Sequence, residues 1–325
     1  MNDIDTITSM LSYRRPAGSG SEMAFIKKFI IPTGAKMDKH GNWRLTIGDS
    51  PSVLWSSHTD SVHHSEGYQK VEFDGKFITL PANSKSNCLG ADCAAGVWIM
   101  TEMIKAKVPG LYMFHFAEEI GCVGSRAIVE KEPTLLKGIM AAIAFDRRGT
   151  TEVITHQGHR TASDTFAESL ASQLPSRFKP SDKGILTDTK QYRNLVAECT
   201  NLSVGYYNEH RPHEALDVHH LIELRNHMVK IDQSKLVIKR DPFAPPKLTM
   251  KNVGKFSFGS LRHRQEKTLR DLVWHHADAV TAFLENQGVT FDQLRDSIYG
   301  KREQQKPEGI DSIFDDIGDL FSKAS

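Results

Sequence analysis

The feature that most restricts this chain is a regular alternation of short apolar runs with helical stretches. Val53-Leu54-Trp55, LYMFHFA at 111–117, IMAAIAF at 139–145 and LSVGYY at 202–207 are of strand length. Between them, Ala94, Val97, Met100, Met103 and Ile104 form one helical stripe over 91–106, and further helices are predicted near 124–131 and at 163–173. Upstream, Ile4, Ile7, Met10 and Leu11 mark a helix at 4–13, and Met23, Ile26, Phe29 and Ile30 mark another at 21–30. Trp43, Leu45 and Ile47 alternate as in a strand, closed by the turn cluster Gly48-Asp49-Ser50-Pro51. Such alternation predicts an α/β fold, a three-layer sandwich with a mostly parallel central sheet.

A helix is expected at roughly 213–231, after which the character changes. Pro242, Pro245 and Pro246 punctuate a linker-like stretch, long helical patterns follow at 262–286 and 290–299, and KREQQKPEG at 301–309 reads as a polar linker. The organisation expected is a catalytic domain over 1–240, a helical C-terminal extension over 241–300 packed on it, and a flexible linker with an acidic amphipathic tail over 301–325. The 325 residues carry 41 basic and 40 acidic side chains, so a net charge of +1 gives no global drive toward nucleic acid or membrane. No apolar stretch approaches bilayer length, and the first residues lack the basic and apolar regions of a secretory signal. Cys88, Cys93, Cys122 and Cys199 lack paired zinc-ribbon spacing and are too few for a disulfide scaffold, which favours a reducing, cytoplasmic compartment.

Acids and histidines fall at the ends of the apolar runs. His58 and Asp60 follow the first, Glu118 and Glu119 the second, Asp146 the third and His210 the fourth, while Asp92 opens the helical stripe. In an open α/β sheet, ligands bind outside the carboxyl ends of the strands, so these side chains can be delivered to one cleft. In His58-Thr59-Asp60 the acid can orient the imidazole while its other nitrogen binds a metal. Taken singly, each residue also has a plain structural reading: a chance His-x-Asp, a helix cap at Asp92, a solvated loop at Glu118-Glu119, a turn at Asp146, a surface imidazole at His210.

Taken in order, His-x-Asp, Asp in a Gly-Ala-Asp context, Glu-Glu, Asp after an apolar strand and His in His-x-Pro-x-Glu resemble the co-catalytic di-zinc exopeptidases and amidohydrolases of metallopeptidase clan MH. The resemblance runs from about residue 3 to 231. It implies one metal on His58 and Asp146, a second on Glu119 and His210, Asp92 bridging them, Glu118 as general base and Asp60 orienting His58. Two departures stand out: Cys93 follows Asp92 where the family often has a second acid, and residues 147–209 leave no room for the lid or dimerisation domain inserted in many relatives.

The charge balance suits this set, because three carboxylate ligands against two divalent ions leave about +1 to be met by the nucleophile. Zn²⁺ fits mixed imidazole and carboxylate ligation, with Mn²⁺ or Co²⁺ as substitutes. Lowering the pKa of water from 15.7 to about 7 corresponds to roughly 12 kcal/mol, more than a general base alone supplies. The activity implied is hydrolysis of a terminal amide in a peptide or peptide-like molecule. N-acyl amino-acid deacylation and an inactive homologue used for binding or assembly are the alternatives. His63, His64, His213, His219 and His220 lie near the set, and His156, Arg147, Arg148 and Arg160 are candidates for a substrate carboxylate. Arg262-His263-Arg264 reads as a solvated helix face, making nucleic acid an improbable partner, and the acidic tail is a candidate docking peptide.

Overall fold

The computed structural model describes residues 2–243 together with Thr281, Leu284 and Thr290. Apart from those three residues, the helices expected at 262–286 and 290–299 lie outside the described residues, as do the linker, the basic run and the acidic tail.

Eight strands build the main sheet: β1 (Lys36–Met37), β2 (Trp43–Ile47), β3 (Val53–His58), β4 (Gly110–His115), β5 (Ala141–Arg147), β6 (Glu152–Ile154), β7 (Lys179–Ser181) and β8 (Glu198–Ser203). Their spatial order is β7-β6-β8-β5-β3-β4-β2-β1. The central four, β8, β5, β3 and β4, are mutually parallel, while β2 runs antiparallel to β4 and β6 antiparallel to β8. Parallel strands buried on both faces are apolar on both, and the alternation is visible here. Val53 and Trp55 of β3, Tyr112 and Phe114 of β4 and Ile143 of β5 pack into one core; Leu54, Leu111, Met113 and Ala142 pack into a second on the opposite face.

The first core is closed by α1 (Asp3–Leu11), α2 (Gly20–Phe29), α3 (Ala91–Lys105), α5 (Asp164–Ala171) and α7 (Val218–Met228). The second is covered by α4 (Val123–Lys131) and the short α6 (Asp188–Gln191), with Ile128, Tyr192 and Val196 packed inward. Helix α3 is buried nearly all round, as expected of a helix between a sheet and other helices. Its Gly96 permits that approach, since a Cβ there would lie 2.2 Å from the Phe145 carbonyl oxygen and 2.5 Å from Ser57 Oγ. Residues 147–209, where an inserted domain was not expected, supply β6, α5, β7, α6 and β8.

Several boundaries differ from the expectations. The fourth apolar strand is Glu198–Ser203 rather than 202–207, with Tyr206–Tyr207 turned into a separate outer strand. The helix expected from 213 begins only at Val218, because Ala215–Asp217 pair antiparallel with Phe77–Thr79 and Asp217 caps the helix by accepting the His220 N–H at 3.0 Å. Glu214, placed at a helix start by its sequence position, is therefore in the segment before a strand. Among the described residues, no helix is long and apolar enough to cross a membrane.

Replacing Gly96 by alanine raises helix propensity by about 1 kcal/mol but drives a methyl into the Phe145 backbone. A net destabilisation of about 1–3 kcal/mol is expected. Urea denaturation of Gly96→Ala checks this, and a midpoint at or above that of the parent would contradict the packing described.

Candidate metal centre

All of the expected ligands meet outside the carboxyl ends of the parallel strands. His58 is the last residue of β3 and pairs in register with His115 of β4, while Asp146 lies within β5, one residue before its end. A register irregularity sets the direction of Asp146: Ala144 pairs with Asn201 and Arg147 with Ser203, leaving Phe145 and Asp146 opposite Leu202 alone. Bulges of this kind re-aim a side chain. The Asp146 backbone is held on both sides, its N–H donating to Asn201 Oδ1 at 2.9 Å and its carbonyl accepting from the Tyr206 hydroxyl at 3.0 Å.

Glu118 and Glu119 sit on a tight turn after β4, not on extended backbone. Ala117 has φ 57° and Cys122 φ 55°, and the Glu118 carbonyl accepts the N–H groups of Gly121 and Cys122. Left-handed conformations in residues other than glycine cost about 1 kcal/mol or more each and concentrate where function requires them. On this turn both glutamates place an oxygen within 4.8 Å of a His58 nitrogen. Asp60 holds the turn: its Oδ1 accepts the Glu118 N–H at 3.0 Å and its Oδ2 the Glu119 N–H at 3.1 Å. Its Oδ1 also lies 3.3 Å from His58 Nδ1, whose closest partner is the Asp60 carbonyl oxygen at 3.1 Å.

Asp92 is the second residue of α3, whose N-cap is Gly90, so the capping alternative is excluded. Its Oδ1 accepts the Cys93 N–H and its Oδ2 lies 3.0 Å from His210 Nε2. His210, at φ 63°, also sits 3.1 Å from Glu119 Oε1, a buried oxygen that otherwise has no hydrogen-bond partner. His58 Nε2 is 3.5 Å from Asp146 Oδ1. Two groups of possible ligands result, His58 with Glu118 and Glu119, and Asp92 with Glu119 and His210, the shared side chain being Glu119. His213 is exposed and outside both groups, His63 is bonded to Ser61 and the Cys88 carbonyl, and His220 faces the Ser203 carbonyl.

The protonation balance shows a site built around missing positive charge. Burial, reinforced by Asp146, Asp188 and Glu119, pushes Glu118 up to about 9, and burial together with Asp92 pushes Glu119 up to about 7. The Asp92 and Glu119 carboxylates hold His210 protonated, up to about 11. Burial would depress His58, yet Asp146 and Asp60 raise it well above its ordinary value. Acidic, imidazole-rich and partly orphaned, this donor set fits divalent ions, which require deprotonated ligands and supply the compensating charge.

A cavity of about 450 Å³ opens onto these groups, with Ile154, Ile185, Leu186 and Tyr206 on its apolar side and Gln157 and Asn201 among its polar lining. Arg147 and Arg148 also line it, but each already has a carboxylate partner, Glu152 at 2.7 Å and Glu209 at 2.5 Å. Arg160 pairs instead with Asp164, and His156 is not in the lining. Asn201 and Gln157 escaped the sequence reading, as one amide in a strand and another in a hairpin carry no spacing signal.

Residues 43–222 match peptidase family M28. The chain belongs to that family. Solved structures agree in fold: an aminopeptidase from the archaeon Desulfurococcus kamchatkensis is 13% identical, with a TM-score of 0.55 over 73% of this chain and 98% of its own. Aminopeptidase PepT from Bacillus cereus is 15% identical, with a TM-score of 0.52 over 70% and 96%. A tripeptidase from Staphylococcus aureus is 14% identical, with a TM-score of 0.52 over 72% and 97%. No curated protein matches the sequence. As an M28 member the chain is a metallopeptidase, a metal-dependent hydrolase of the exopeptidase type.

In the metal-free M28 chain, Glu118 and Glu119 retain protons well above the pH at which an unfolded glutamate loses them, and His210 stays protonated above its unfolded value. Between pH 7 and 9 the folded state therefore binds more protons than the unfolded one, and stability falls as pH rises. Thermal unfolding in chelator should show a melting temperature that drops across this window, with the slope much reduced once Zn²⁺ is added. A melting temperature rising with pH in chelator would contradict the protonation balance.

Proposed function

We propose that this M28 peptidase is an aminopeptidase-type enzyme that removes the terminal residue of a short peptide with two divalent ions, zinc being the natural choice. The observation that carries this reading is the meeting of two imidazoles and three carboxylates in two ligand groups that share Glu119, with a fourth carboxylate, Asp146, beside His58. His58 and Asp146 would hold one ion, Glu119 and His210 the other, and Asp92 would bridge them. Bound ions would polarise the scissile carbonyl and acidify the attacking water.

The chain's own groups supply the rest. Glu118 removes a proton from the attacking water and returns it to the departing amine; it stands beside the cleft, and the positive charge of the ions would offset the burial and carboxylate repulsion that otherwise keep it protonated. Asp60 acts on the reaction through two contacts, keeping His58 oriented and the Glu118-Glu119 turn closed. Ile154, Leu186 and Tyr206 offer an apolar wall to the side chain next to the cleaved bond. Because Arg147 and Arg148 are already paired, neither is left to clamp a free carboxylate, which supports recognition of an amino end over a carboxyl end. A cytoplasmic setting goes with this reading, resting on four cysteines that are buried as single thiols.

Glu118→Ala should keep its metal and lose turnover by about 10²–10⁴-fold or more, the usual share of a general base. Glu119→Ala should lose metal at one position as well. Full activity of the Glu118 variant in metal-replete buffer would remove the mechanism. Chelation should abolish turnover and added Zn²⁺ restore it on aminoacyl substrates; restoration on N-acyl amino acids alone would move the enzyme to the deacylases.

A further inference from the structure

Two buried charged side chains outside the ligand groups grip the segment from which α3 starts. Arg15 is wholly buried and spends all its donors on the protein interior. Its Nε donates to the Thr59 carbonyl at 3.1 Å, Nη1 to the carbonyls of Met10 and Tyr13 at 3.0 and 3.2 Å, and Nη2 to the Gly90 carbonyl at 3.1 Å and Cys93 Sγ at 2.8 Å. A guanidinium has five N–H groups, so this set satisfies it without a carboxylate. Where relatives often place an acid after the bridging aspartate, Cys93 here faces a guanidinium.

Glu214, equally buried, takes the opposite role. Its Oε2 accepts the N–H groups of Leu89 and Gly90 at 2.9 and 3.1 Å, and its Oε1 accepts that of Ala91 at 2.8 Å. Gly90 is the N-cap of α3 at φ 73° and brings no side-chain cap, so Glu214 supplies the acceptor that the helix start lacks. The peptide unit between Gly90 and Ala91 thus has its N–H on an anion and its carbonyl on a cation. A β-carbon at position 90 would meet His63 Cε1 at 3.0 Å, which leaves this peptide little room to shift.

The three segments gathered here are the ones that carry ligands. Thr59 separates His58 from Asp60, Ala91 and Cys93 flank Asp92, and Glu214 closes the loop that begins at His210. We propose that Arg15 and Glu214 are positioning residues that fasten these segments to the Gly90–Ala91 peptide and so fix Asp92 in register with His58 on one side and His210 on the other. This rests on the two-ion reading above. Its consequence is asymmetric: Glu214 acts on the Asp92, Glu119 and His210 position, whereas Arg15 reaches both through Thr59 and Gly90.

Calorimetric titration of the metal-stripped full-length protein with Zn²⁺ tests it. Wild type should take up two ions; uptake of fewer would overturn the two-ion reading itself, whatever the variants do. Glu214→Gln should keep cooperative unfolding and a first ion of wild-type affinity, bind the second about 10–100-fold more weakly, and regain turnover at saturating Zn²⁺. Arg15→Lys should weaken both ions. Wild-type affinity for both ions in Glu214→Gln, or equal weakening of both in step with a lowered metal-free melting temperature, would overturn the positioning role. Should Glu214→Gln fail to fold cooperatively, Glu214→Asp, which keeps the charge on a shorter arm, should show the same selective weakening, and its absence would count equally against the proposal.

Discussion

Mutual repulsion among buried carboxylates is the constraint on which the rest of this molecule turns. Asp60, Asp92, Glu118, Glu119 and Asp146 are brought together at the ends of parallel strands, with Asp188 buried behind them. Two imidazoles, His58 and His210, sit among these acids and are held protonated by them, while Arg147 and Arg148 on the cleft wall are paired with Glu152 and Glu209. Two unit charges about 4 Å apart interact by about 4 kcal/mol at an effective dielectric constant of 20, so such a cluster is tolerable only when protons or metal ions sit between its members.

The scaffold answers this constraint with stiffness. Four of the acids are placed by features that resist relaxation: a bulge opposite Leu202 for Asp146, left-handed residues at both ends of the turn that carries Glu118 and Glu119, and a helix start gripped by Arg15 and Glu214 for Asp92. Backbone amides do much of the holding. Asp60 accepts two N–H groups of the turn, and Glu214 accepts three at the helix start. Charges fixed by backbone groups cannot rotate apart when ions are absent, which is the property a preorganised metal site requires.

Much of this was legible from the sequence, for physical reasons. Strands β3, β4 and β5 announce themselves as apolar runs because they are buried on both faces, and the acids at their ends stand out against them. Helix α3 was readable from its stripe. What escaped has no periodic signature: strands of two or three residues such as Phe77–Thr79, the bulge that aims Asp146, and the amide of Asn201 that fixes its backbone. The start of α7 was misplaced because Ala215–Asp217 have their partners far back in the chain, at Phe77–Thr79, and a long-range pairing overrides local helical pattern. Arg15 could not have been selected, since a lone arginine looks like a surface residue until its burial is known, and Glu214, though part of the His-x-Pro-x-Glu pattern, had no role of its own until its three backbone partners were seen.

The central claim is that these strand ends enclose a pair of divalent ions. Crystals grown with Zn²⁺ and measured at the zinc absorption edge address it most directly. The account requires two anomalous peaks within about 4 Å of one another, one beside His58 and Asp146, the other beside Glu119 and His210, with the Asp92 carboxylate between them. A single peak, or zinc bound away from these side chains, would contradict it.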